Sequence, residues 1–102
     1  MSALRIEWTV VSKQMFEELR KRAIAKGKHE EFARIHNEIA ASLRDLDRAV
    51  EMGEPLYRTQ LPGGEVRHCV HRFISVCYVV FKERRVGWVL QYRSVPENWP
   101  DE

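Results

Sequence analysis

Residues Ile74–Phe81 read ISVCYVVF, eight residues without a charge, four of them β-branched and two aromatic. Side chains of these kinds suit a pleated strand, and a run without polar alternation suits a strand covered on both faces. This stretch is therefore expected to lie inside a sheet. Glu65–Phe73 (EVRHCVHRF) precedes it, and Val86–Val95 (VGWVLQYRSV) follows after the charged turn Lys82-Glu83-Arg84-Arg85. Upstream, Leu56–Leu61 is a short candidate strand closed by the turn signal Pro62-Gly63-Gly64. The second half thus reads as a three-stranded antiparallel meander. Pro96 ends the last strand, leaving 96–102 as a tail.

The first half changes period. Leu4, Ile6, Trp8 and Val10 alternate with Arg5, Glu7 and Thr9, which predicts a half-buried strand over Leu4–Val11. Ser12 stands where a helix N-cap is expected. Behind it Met15, Phe16, Leu19, Ala23 and Ile24 recur every three to four residues up to Lys26-Gly27, where glycine favours a helix stop. A second helix is expected from His29 to Met52, because Phe32, Ile35, Ile39, Leu43, Leu46 and Val50 share one stripe. Gly53 and Pro55 terminate it. The expected fold class is α+β: an N-terminal strand, an antiparallel helical hairpin, then the meander, with the helices on one face of the sheet.

At 102 residues, with 44% hydrophobic and 31% charged, the chain fits one domain spanning 1–102. A multi-domain enzyme is therefore not expected. Cys69 and Cys77 lack a CxxC spacing and read as reduced core thiols. No segment has the apolar length of a signal peptide or a membrane span, so a cytoplasmic location without a membrane partner is expected. His29 and His36 have no cysteine or carboxylate pattern to complete a metal site, and no glycine loop cradles a phosphate. No metal and no cofactor is therefore expected.

The charge is unevenly spread. Over Leu56–Val95 there are seven basic residues (Arg58, Arg67, Arg72, Lys82, Arg84, Arg85 and Arg93) against Glu65 and Glu83, although the whole chain is only +2. A basic sheet in a near-neutral protein suits phosphates or an acidic peptide. Strand parity places Arg67, Cys69, His71 and Phe73 on one side of their segment and Val66, His68, Val70 and Arg72 on the other. With Val66 and Val70 turned to the helices, Arg67 and His71 face away. Packing Trp88, Leu90 and Tyr92 inward leaves Gln91 and Arg93 on that same open face. Arginine can stabilise phosphorane-like charge and histidine can exchange protons near neutral pH, so Arg67, His71 and Arg93 are the candidate catalytic group for RNA cleavage. Arg58, Arg72 and Gln91 are the candidate substrate contacts.

This order of elements, with EVRHCVHRF, ISVCYVVF and VGWVLQYR in the meander, resembles the RelE/ParE toxin superfamily of type II toxin–antitoxin systems over nearly the whole chain. The resemblance implies a small α+β toxin neutralised by an antitoxin wrapped around it. It implies one of two activities: ribosome-dependent mRNA cleavage of the RelE kind, or DNA gyrase inhibition of the ParE kind. Arg67 or Arg72 ahead of Tyr78, and Arg93 late in the last strand, match arginines that recur in the family. The chain also departs from the pattern. RelE-like nucleases often carry a tyrosine or histidine beyond the last strand, whereas Trp99 is the aromatic here, and Lys82 lies in a turn. These departures leave a non-catalytic interaction protein on the toxin fold as a third reading.

Overall fold

A computed structural model of the chain describes residues 3–56 and 61–99. Its elements run β1 (Arg5–Trp8), α1 (Val10–Ala25), α2 (His29–Leu43), α3 (Leu46–Ala49), β2 (Glu54–Pro55), β3 (Glu65–His71), β4 (Ile74–Phe81) and β5 (Val86–Ser94), followed by a 3-10 turn at Pro96–Asn98. The five strands form one mixed sheet in the order β1-β5-β4-β3-β2. β1 runs parallel to β5, with Ile6 opposite Gly87 and Trp8 opposite Val89. The remaining pairings are antiparallel. The helices carry the chain from the β1 edge over one sheet face to the β2 edge, and the antiparallel strands then return to β5 beside β1.

The core lies between that face and the helices. Leu19 and Ala23 of α1 and Phe32, Ile35, Ile39 and Leu43 of α2 meet Ile74, Val76, Tyr78 and Val80 of β4 and Val89 and Tyr92 of β5. Burying each large apolar side chain contributes about 1.5–3 kcal/mol, which makes this layer the main source of stability. β4 is buried along its length except at Cys77 and Phe81, as expected for a central strand.

Several boundaries differ from the sequence expectation. The first strand ends at Trp8 because Thr9, not Ser12, caps α1: Thr9 Oγ1 accepts from the Ser12 amide at 3.0 Å. Ser12 is a buried first-turn residue whose hydroxyl donates to the Thr9 carbonyl at 2.9 Å. The helix expected from His29 to Met52 is two helices. The chain leaves helical geometry at Asp45 (φ −99°, ψ 113°), whose side chain then caps α3. At that break the Leu4 amide donates to the Arg44 carbonyl at 2.8 Å, tying the start of the chain to the end of α2. The apolar stripe continues through the break, so periodicity alone reads one helix.

Gly53 ends the helical half with φ +68°, and a Cβ there would sit 2.1 Å from the His68 carbonyl oxygen. Both the backbone sign and the close approach of β3 require glycine. Pairing on the far side of β3 begins earlier than expected, with Glu54 opposite His68 and Pro55 opposite Arg67. Most of the candidate strand Leu56–Leu61 lies outside the described residues. The C-terminal segment folds back onto the sheet as far as Trp99. The Trp99 ring stacks on Phe73 with centroids 4.0 Å apart, and its indole N–H donates to Ser94 Oγ at 2.6 Å. Among the described residues no helix is long and apolar enough to cross a membrane.

Candidate functional site on the open sheet face

The register decides which side chains share the face away from the helices. Cys69, opposite Val76, belongs to the core, and β3 alternates from there. Arg67, Cys69 and His71 consequently face the helices, while Val66, His68 and Val70 face away. This reverses the expected assignment for β3. Each side carries apolar residues in nearly equal measure, so apolar content did not distinguish them.

Arg67 is a buried brace. Its Nε donates to the Met52 carbonyl at 2.8 Å and a terminal nitrogen to the Gly53 carbonyl at 3.1 Å, while the other pairs with Glu65. Tyr78, directly opposite on β4, donates its hydroxyl to the Ala49 and Met52 carbonyls at 2.7 and 3.1 Å. The two side chains close off the C-terminal end of α3 and the turn after it, where carbonyls lack helical partners. Burial raises the Tyr78 phenol's pKa and keeps it protonated as the donor this arrangement needs.

His71 lies on the helix side and meets Glu38 of α2, Nε2 to Oε2 at 2.5 Å. The hydrogen bond from His71 lowers the Glu38 pKa. Arg72 turns the β3–β4 hairpin with φ 55° and pairs with Glu31 at 2.7 Å, and its carbonyl accepts from Asn98. Arg58 lies outside the described residues.

Arg93 and Gln91 do lie on the open face. Ser75 is opposite Arg93 and Cys77 opposite Gln91, and His68 is opposite Cys77 on the other side of β4. A groove of about 270 Å³ is lined by Leu56, His68, Ser75, Cys77, Gln91 and Arg93. Within it His68 Nε2 and Ser75 Oγ share a 2.6 Å hydrogen bond. Burial raises the Cys77 pKa and nearby Arg93 pulls it back, leaving a protonated thiol near neutral pH rather than a nucleophile. Cys69 is pushed up to about 11 by burial and is a core thiol. The groove thus joins a proton-exchanging ring, a hydroxyl, an amide and a guanidinium. Among the described residues no group of three or more histidine, cysteine or carboxylate side chains could hold a metal ion.

The sequence grouping is therefore split: Arg93 and Gln91 occupy the open groove, Arg67 and His71 the opposite face. His68 and Ser75 take the places near Arg93 that Arg67 and His71 were expected to fill. The chain offers one signal for this. Cys69 and Tyr78 are exactly the sort of residues a core accepts, yet reading them inward requires knowing the β3–β4 register. The inward arginine is tolerated only because backbone carbonyls receive it.

A β-bulge further alters the face of β5. Between Cys77 and Tyr78 the partner steps from Gln91 to Val89, so Leu90 is unpaired and the alternation changes phase. Tyr92 and Val89 both point into the core, and Trp88, expected inside, stands on the open face with 37% of its surface exposed.

No family model and no curated protein matches the chain. A solved structure described as the chromosomal ParDE TA system from P. aeruginosa superposes with a TM-score of 0.62 at 15% identity, covering 93% of this chain and 99% of that one. The chain shares its fold with that structure. In this fold the late-strand arginine, Arg93, is open to solvent, and the aromatic beyond the last strand, Trp99, is stacked against Phe73.

Proposed function

We propose that this protein is the toxin of a type II toxin–antitoxin pair and that its open sheet face cleaves mRNA on the ribosome. The observation that carries the reading is the His68–Ser75 pair sharing one groove with Arg93 and Gln91. In this mechanism His68 takes the proton from a ribose 2′-hydroxyl. The 2′-oxygen attacks the adjacent phosphorus, the bond to the 5′-oxygen breaks, and that oxygen takes a proton from solvent. Arg93 stabilises the added negative charge on the phosphate oxygens, and Ser75 orients the imidazole. Gln91 remains the proposed substrate contact in the groove, together with Arg58, whereas Arg72 is held by Glu31 of α2 and does not line it. The partner is an antitoxin, and the fold supports that assignment.

The test is expression without an antitoxin, with mRNA ends mapped on translating ribosomes. Cleavage that disappears in Arg93→Ala and His68→Ala, with both variants folded, supports the mechanism. Intact mRNA in growth-arrested cells refutes it. DNA gyrase inhibition is the second reading, favoured by the structural neighbour being a ParDE system. It gains if growth slows while mRNA stays whole and the SOS response rises.

A further inference from the structure

Trp88 has no role in the groove, yet the β5 bulge turns it onto the same face as His68 and Arg93. More than a third of its surface is open to solvent there, an area that a bound ring could cover. Resting on the RNA reading above, we infer that Trp88 is a stacking platform for an unpaired base of a single-stranded RNA whose phosphate is held at Arg93.

Geometry and charge support this occupant. Trp88 and Arg93 lie on one strand, five residues apart, which at about 3.3 Å per residue separates them by roughly 15 Å. An extended RNA strand along β5 can thus meet both. Every base has a π face, and a sheet that combines aromatic rings with arginines suits single-stranded nucleic acid. At the Trp88 end of the sheet the turn before β5 contributes Arg84 and Arg85, the Arg84 guanidinium lying 5.7 Å from the Phe81 ring centroid. Glu7, opposite Trp88 on β1, is the carboxylate nearest in register, and Arg5 pairs with it at 3.4 Å. That pairing reduces its repulsion of a phosphate. A peptide partner would gain from the indole but would need acidic residues to use the arginines, whereas RNA supplies both a ring and a charge in each nucleotide.

The experiment titrates the full-length protein with a 2′-O-methyl oligoribonucleotide, which it cannot cleave, and reads fluorescence anisotropy of a label on the RNA and tryptophan emission. Trp8 and Trp99 are the other two indoles and are hydrogen-bonded to Tyr92 and Ser94, so Trp88 is the reporter. RNA is expected to quench the wild-type emission. The quenching should vanish in Trp88→Phe, whose ring still stacks and whose affinity stays within a few-fold of wild type. Trp88→Ala should bind about 5- to 150-fold more weakly, the range for losing one base–aromatic stack. Thermal melting of each variant checks that the fold is retained. The inference is overturned if Trp88→Ala binds as tightly as wild type while Arg93→Ala does not, or if the wild-type protein does not bind the oligonucleotide. Cleavage is scored separately. Trp88-dependent binding by a protein that leaves ribosomal mRNA intact removes the nuclease reading and keeps the platform; cleavage with Trp88-independent binding removes the platform alone.

Discussion

Replacing Arg67 with alanine separates a structural arginine from a functional one. The side chain is buried and supplies two charged hydrogen bonds to the Met52 and Gly53 carbonyls. A hydrogen bond to a charged group contributes about 1.5–3 kcal/mol, but the losses do not simply add. The Met52 carbonyl keeps the Tyr78 hydroxyl at 3.1 Å, so only the Gly53 carbonyl loses its side-chain donor. Glu65 is 40% exposed and can be rehydrated, so its ion pair adds little. The expected loss is about 2–4 kcal/mol, a large part of the roughly 5–15 kcal/mol by which domains of this size are stable. In a thermal melt that lowers the midpoint by on the order of 10–30 °C. Arg93→Ala, on an exposed position, should stay within about 0.5 kcal/mol of wild type. Urea titrations of both variants, at a temperature where each is folded, provide the comparison. An Arg67→Ala protein as stable as Arg93→Ala would refute the brace and return Arg67 to the list of candidate catalytic groups.

The other predictions concern backbone, pH and the C-terminal segment. Gly53→Ala should cost more than about 3 kcal/mol, because a left-handed φ and a Cβ 2.1 Å from the His68 carbonyl both oppose it. Gly27→Ala, with φ +71° but nothing within 4 Å of its Cβ, should cost about 1–2 kcal/mol, so urea midpoints that agree for the two would remove the close-approach argument. Trp99→Ala removes the stack on Phe73 and the bond to Ser94 and is expected to destabilise by about 2 kcal/mol in the same assay, with near-wild-type values refuting a packed C-terminus. His36 lies against Phe16 and shares a 3.1 Å hydrogen bond with Tyr92, whose oxygen also accepts from Trp8. Burial, then the Arg44 charge, lowers its pKa below the ordinary 6.5, so the unfolded chain binds the proton more readily. Stability should therefore fall as pH drops through 6.5, and His36→Gln should flatten that part of the curve between pH 7 and pH 5. A wild-type and variant pair with equal slopes there would remove His36 as the cause.

The fold was legible where local physics acts alone. The run at Ile74–Phe81 gave the central strand to the residue, and the apolar stripe of α2 gave its inward face. What periodicity could not show was set by contacts between distant segments. The break at Asp45 coincides with Leu4 reaching the Arg44 carbonyl, and the parallel pairing of β1 with β5 joins the first strand to the last, with three helices and three strands between them. The tail became packed structure because Phe73 offers Trp99 a flat surface.

The candidate site shows why residue type and alternation are insufficient. Arg67 and Arg93 are both arginines in strands, and parity alone gave them a shared face. In the fold one guanidinium is spent on carbonyls left over by α3, and the other is open because Ser75 and Cys77 beneath it are small. The inward face of Arg67 is set by the β3–β4 register, whereas on β5 the single residue added at Leu90 lets one strand send Val89 and Tyr92 into the core while turning Trp88, Gln91 and Arg93 outward. Deleting Leu90 should remove the bulge yet keep every face: with Tyr92 held inward by Trp8 and His36, plain alternation puts Gln91 outward, Val89 inward and Trp88 outward. A deletion variant that remains folded should keep Trp88 as accessible to acrylamide as in the wild type, with Arg93 still on the open face; a fall in the quenching constant would show that Leu90 is not the residue that sets the face of Trp88.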